Sequence, residues 1–93
     1  MSEDKLSFHL GEKVMFANIS EVFDKLKEID LSSIKQINLD AEDLEELDLI
    51  GLQLISAFIK KAEKLGVSVS WDNPTIELFE AATDLGLNAV LKV

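Results

Sequence analysis

The sequence contains no cysteine, no arginine and no tyrosine, and only one histidine, one tryptophan and one proline. Without cysteine there is no disulfide framework, no thiolate nucleophile and no thiolate metal ligand. Without arginine the bidentate grip on phosphate or guanine is missing. Nine lysines against eighteen acids leave a net charge of −9. A polyanion needs a basic stripe, so nucleic acid is disfavoured as a partner, and an anionic membrane surface for the same reason. No apolar run approaches the ~18 residues of a membrane span. The polar, acidic opening Met1-Ser2-Glu3-Asp4-Lys5 is no secretory signal, so a cytoplasmic protein without membrane insertion is expected. With four glycines, one proline and 47% hydrophobic residues, no stretch reads as a linker or a low-complexity tract. Residues 1–93 are therefore read as one domain, large enough to bury roughly 60–65% of the surface its unfolded chain exposes.

What is present is an ordered alternation of strand and helix patterns. Leu6, Phe8 and Leu10 alternate with Ser7 and His9, and Gly11-Glu12 offers a loose turn before Val14-Met15-Phe16, which predicts an opening hairpin or a bent edge strand. Asn18, with Glu21 three residues on, predicts a capped helix whose apolar positions are Ile19, Val22, Phe23, Leu26 and Ile29. After a break at residues 30–33 comes a strand over 35–40. An acidic loop follows, and then a helix over about 51–65 with Leu54, Phe58, Ala62 and Leu65 buried, Ile55 and Ile59 on the same side, and Gln53, Ser56, Lys60 and Lys61 on the polar arc. Gly66 suits the position just past that helix, and Val67, Val69 and Trp71 alternate with Ser68 and Ser70 as a further strand. Asn73-Pro74 predicts the start of a third helix with Ile76, Leu78, Phe79, Ala82 and Leu85 as its apolar face, and Ala89–Val93 reads as a final strand. Alternating strands and helices imply parallel βαβ pairing. A parallel sheet covered on both faces would have strands that are apolar throughout. Here Ser7/His9, Gln36/Asn38 and Ser68/Ser70 give each strand a polar side, so helices are expected mostly on one face.

Taken in order, the apolar strand ending in Asp40, the short loop, Asp48-Leu49-Ile50-Gly51-Leu52, the apolar helix, Lys64-Leu65-Gly66, the Val67-Ser68-Val69 strand, Asn73-Pro74 and Asp84-Leu85-Gly86-Leu87 resemble a STAS domain, the fold of bacterial anti-sigma factor antagonists. The resemblance runs from about Ala17 onward. It implies an α/β domain with a small mixed sheet, parallel inner strands and three main helices. It also implies a non-enzymatic module of signal transduction and transcription regulation, docking through residues 40–52 onto an anti-sigma factor, a serine kinase or another signalling protein. Two other roles within the family are open: a small cytoplasmic subunit of a lipid-transport ABC complex, and an adaptor in a chemotaxis or histidine-kinase system. The partner-binding residues the motif implies are Asp48, Leu49, Ile50, Gly51 and Gln53. At the two positions between Asp and Gly the family usually carries a Ser or Thr that a partner kinase phosphorylates. Leu49 and Ile50 have no hydroxyl, so the resemblance carries over the fold and the docking face without the switch.

The remaining chemistry-bearing residues are few. With no Cys, no Tyr and no glycine-rich phosphate loop, no nucleophile has an adjacent base, so neither catalysis nor a cofactor is expected. His9 reads as a solvent-facing strand residue, Ser56 as a helix-surface serine and Trp71 as core. Asp40, Glu42, Asp43, Glu45, Glu46 and Asp48 crowd one loop, but their spacing excludes an EF-hand, because no glycine lies between Asp40 and Gly51. A solvated rim or a negatively charged docking surface accounts for them. Asp48 precedes the central helix and suits its N-cap. Leu49 and Ile50 have two arrangements open to them, exposed beside the acidic rim or turned inward onto the core.

Overall fold

The computed structural model describes residues 4–93. Strands β1 (Lys5–His9), β3 (Gln36–Asp40) and β5 (Ser68–Asp72) form a three-stranded sheet in the order β1-β3-β5, and β2 (Lys13–Val14) pairs with β4 (Glu46–Leu47) in a second, two-stranded sheet. The helices are α1 (Ile19–Lys27), α2 (Leu49–Lys64), α3 (Ile76–Asp84) and the short α4 (Asn88–Leu91). The main sheet is built by two crossovers, β1-α1-β3 and β3-α2-β5, that advance across it in the same direction. Because such crossovers are right-handed, this order sends α1 and α2 to one face. The sequence alternation matches it. Leu6, Ile37 and Val69 lie in register across the strands, as do Phe8, Leu39 and Trp71. Ile37, Leu39 and Val69 are buried in the hydrophobic core, and Phe8 and Trp71 pack against it. The intervening row is polar: Ser7, Asn38 and Ser70 stand side by side, Ser70 Oγ donates to Asn38 Oδ1, and Gln36 Nε2 donates to the same oxygen at 3.2 Å.

Several expectations are corrected. All strand pairs among the described residues are parallel, so the sheet is parallel rather than mixed: both of its edge strands are reached through helical crossovers. Neither a hairpin nor one bent edge strand opens the chain: β1 and β2 are separate strands in different sheets, divided by a turn at Gly11. β1 and β2 do not pair with each other; each takes a parallel partner from later in the chain. Ala89–Val93 is not a strand but contributes to α4. Leu87 and Leu91 stand four apart, on one helical face, and Leu91 is fully buried while its carbonyl accepts a 2.6 Å hydrogen bond from Trp71 Nε1. A strand would have turned alternate residues of this segment outward.

Helix ends differ in mechanism more than in place. Asn18 sits at the start of α1, but its side chain turns back, Oδ1 accepting from Met15 N at 2.9 Å and Nδ2 donating to Lys13 O at 2.8 Å. The cap of α3 is Thr75, whose hydroxyl accepts from Leu78 N at 3.2 Å. Asn73 takes a left-handed turn with φ of 53° just before Pro74, so neither residue begins the helix. α3 also buries less than its periodicity promised: Leu78 and Ala82 are buried, whereas Ile76, Phe79 and Leu85 are exposed. At the end of α2, Gly66 has φ of 85° and Val67 N bonds back to Ala62 O at 2.9 Å, a glycine-terminated helix end.

Candidate functional site

The start of α2 is assembled from three separate stretches of chain. Parallel pairing of β2 with β4 brings Val14 beside Leu47, and the amides of Glu45 and Glu46 both donate to Glu12 O, at 2.9 and 3.0 Å. Asp48 follows in extended conformation and caps the helix as expected, its Oδ1 accepting from Gly51 N at 2.9 Å. Its other oxygen, Oδ2, accepts from the backbone N–H of Phe16 at 2.9 Å. One carboxylate thus ties the helix start to the segment after β2. These donated hydrogen bonds, from Phe16 first and Gly51 second, favour the ionised form and hold the Asp48 carboxyl below its ordinary value of 3.8.

Gly51 has a structural reason of its own. A Cβ placed there would lie 1.9 Å from the carbonyl oxygen of Val14 and 2.7 Å from its carbonyl carbon, so only glycine lets α2 settle this close to the β2 backbone. Gly51 is buried, so it shapes the site without offering a side chain to a partner. The open question about Leu49 and Ile50 resolves to exposure: they are 49% and 41% exposed, while Leu52, next in the helix, is buried in the core. Gln53 is exposed on the same end of α2.

Two residues join this surface that the sequence reading did not place there. Phe16, delivered by its hydrogen bond to Asp48, is 70% exposed. Leu85, from the end of α3, is exposed and lines a shallow groove together with Leu49, Gln53 and Lys60. Their distance along the chain from residue 48 hid them. The one local signal was the pair Met15-Phe16, apolar residues directly ahead of a helix start.

The acidic loop is pinned by its apolar residues, with Ala41 and Leu44 buried and Glu42, Asp43, Glu45 and Glu46 exposed. Its negative charge continues onto α3, since Glu45 and Glu46 share a groove with Glu77, Glu80 and Asp84 over a floor that includes Met15 and Leu47. Among the described residues no group of three or more acids or histidines is placed to hold a metal ion. His9 is exposed on the polar row, with Nδ1 3.1 Å from Asp40 Oδ2. The Asp40 carboxyl is held below its ordinary value, chiefly by the Glu42 amide it accepts from.

Ser56 departs from expectation. It is 8% exposed instead of lying on the polar arc, and its hydroxyl has no hydrogen-bond partner. Leu65 departs in the other direction and is 58% exposed. α2 packs against α1, α4 and β5, so its buried arc is wider than a single face, taking in Leu52, Ile55, Ser56, Phe58 and Ile59, and it narrows to Ala62 in the last turn. Trp71 is half-buried against the core, as read.

A family profile described as "STAS domain" matches residues 2–93. No curated protein matches the sequence. Among solved structures, the chain is similar to a sulfate transporter family protein from Wolinella succinogenes, with a TM-score of 0.79 and 17% identity over 96% of this chain and 72% of that one. It is also similar to a chain described as Mglu, with a TM-score of 0.69 and 21% identity over 82% of this chain and 19% of that much longer one. At these identities the two likenesses establish the fold.

Proposed function

The chain belongs to the STAS domain family, and from that membership we propose that it is a non-enzymatic, cytoplasmic protein-binding module of bacterial signalling that docks through the start of α2. The observation that carries this reading is the pair Leu49 and Ile50, exposed at the position where the family usually presents a phosphorylatable hydroxyl. Large apolar side chains at the solvent-facing start of a helix are costly unless something covers them. Phe16 and Leu85 extend the apolar area, and the acids of the 40–48 loop and of α3 border it. A partner complementary to this surface has an apolar centre and a basic margin. From the family resemblance, we take that partner to be an anti-sigma factor, a serine kinase or another signalling protein.

In the family, phosphorylation puts roughly two negative charges at the start of this helix and weakens docking. Leu49 and Ile50 cannot be modified, so this domain binds constitutively. No helix among the described residues is long and apolar enough to cross a membrane.

The test is Ile50→Asp, which places a charge where the phosphate would sit. Because Ile50 is 41% exposed, the variant keeps its fold, with circular dichroism and urea midpoint close to wild type. It loses the partner that the wild type retains in affinity purification from the source cells. Incubation with a family-type serine kinase and ATP leaves residues 48–51 without phosphate. Normal partner binding by the variant places the docking surface elsewhere, and unfolding assigns Ile50 to the core. A serine kinase, sigma-factor regulator or chemoreceptor kinase as the retained partner supports the signalling role. Recovery of an ABC ATPase in its place selects the lipid-transport subunit.

A further inference from the structure

Further along α2, a half-open groove of about 140 Å³ lies between that helix and α1. Its walls are hydrocarbon: Leu26, Ile29 and Leu31 from α1 and the turn after it, and Leu54 and Phe58 from α2. Two lysines complete the lining, Lys27 and Lys61, and no acid does. That is a notable composition in a chain with eighteen acids and nine lysines. The Lys27 ammonium is held 5.3 Å from the centre of the Phe23 ring, which is itself part of the groove. Among the described residues neither lysine has a carboxylate within ion-pair distance; the pairs formed are His9–Asp40, Lys13–Glu46 and Lys92–Glu63. The groove therefore joins an apolar trough to two cations that no carboxylate among the described residues neutralises.

We propose that this groove is a binding site for a small organic monocarboxylate with an apolar tail or ring, its hydrocarbon lying between α1 and α2 and its carboxylate reaching Lys27 and Lys61. Size sets the tail. An apolar cavity near 150 Å³ admits a benzene ring, so one ring or a chain of about six carbons fills the trough and a longer chain leaves by its open side. Charge sets the head. Each exposed ion pair multiplies affinity only a few-fold, so the trough supplies most of the binding and the lysines supply the preference for an anion. Of its lining only Ala57 also borders the groove beside Leu49 and Gln53; Lys27, Lys61 and the rest of the trough lie apart from the docking surface at the start of α2.

The test is a titration of the ¹⁵N-labelled full chain with octanoate, octanol and octylamine, followed by amide chemical shifts. Octanoate should give saturable shifts centred on residues 23–31 and 54–61 and bind at least ~5-fold more tightly than octanol, with octylamine weakest. The double variant Lys27→Gln/Lys61→Gln should weaken octanoate by roughly 5- to 20-fold and leave octanol unchanged, since both side chains are exposed and their removal spares the trough. Ala57→Phe, introduced from an exposed position on the groove wall, should fill the trough and abolish binding of both. Absence of saturable shifts in these segments overturns the proposal, as does equal affinity for octanoate and octanol. Concentration-dependent shifts of the same residues without ligand also overturn it, because they would show a second copy of the chain occupying the groove.

Discussion

Replacing Gly51 by alanine sets two effects of opposite sign against each other. Gly51 occupies the third position of α2 with its amide already bonded to Asp48. Judged by helix propensity alone, alanine there should stabilise the domain by about 0.8–1.0 kcal/mol. The tertiary structure reverses that sign. The new methyl would stand 1.9 Å from Val14 O, where ordinary contact begins at 3.4 Å, and the obstacle is backbone, which has no rotamer through which to escape. Val14 is fully buried and its strand is paired with β4, so the helix start must recede. Overpacking of this kind costs about 1–3 kcal/mol, and more when backbone has to move. Receding also pulls the Gly51 amide from Asp48 and Asp48 from Phe16. The net result should be a loss of roughly 1–3 kcal/mol, seen as a urea midpoint lower by about 1–2 M with an unchanged slope. Amide shifts should change at Val14, Phe16 and Gly51. An unchanged or raised midpoint for Gly51→Ala would refute the close approach on which this site is built.

Phe58→Ala should cost about 3–5 kcal/mol, whereas Leu65→Ala should stay within about 0.5 kcal/mol, because Phe58 is 7% exposed and Leu65 58%; equal costs would contradict the wider buried arc of α2. Ser56→Ala should be neutral or stabilising by up to about 1 kcal/mol, since it removes a buried hydroxyl without a partner and improves helix propensity, and a clear loss of stability by calorimetry would mean that the hydroxyl is satisfied. Asp48→Asn should change the acid side of the stability curve. The folded-state pKa of Asp48 lies below the ordinary 3.8, so its contribution is present above that value and is lost as pH falls through the folded pKa. Wild type should exceed the variant in urea midpoint at neutral pH and converge with it in strong acid, and a gap that does not depend on pH would remove Asp48 as the ionised tie between Phe16 and α2.

Local chemistry was enough to place most elements. The alternation of Leu6 and Phe8 with Ser7 and His9, repeated in the other two strands, marked one apolar and one polar face of the sheet before any pairing was known. It did so because a strand's side chains alternate regardless of its neighbours. Asp48 as a helix cap, Gly66 as a helix end and the apolar run of α2 were legible for the same reason: each depends on residues a few positions away. What failed depended on contacts between distant parts of the chain. Ala89–Val93 has no local preference strong enough to separate a short strand from a single helical turn, and the burial of Leu91 against the rest of the molecule decided it. Ser56 and Leu65 were misassigned because periodicity assumes one neighbour, while α2 packs against α1, α4 and β5, and Leu65 lies just past its last helical residue. The surface proposed for docking shows the division most plainly. The sequence alone placed two apolar residues after an aspartate and left their orientation open. Their exposure, the arrival of Phe16 through the second carboxylate oxygen of Asp48 and the need for glycine at position 51 follow from the meeting of β2, β4 and α2, segments more than thirty residues apart at the Phe16–Asp48 bond. No local pattern encodes a contact whose two sides are so far separated along the chain.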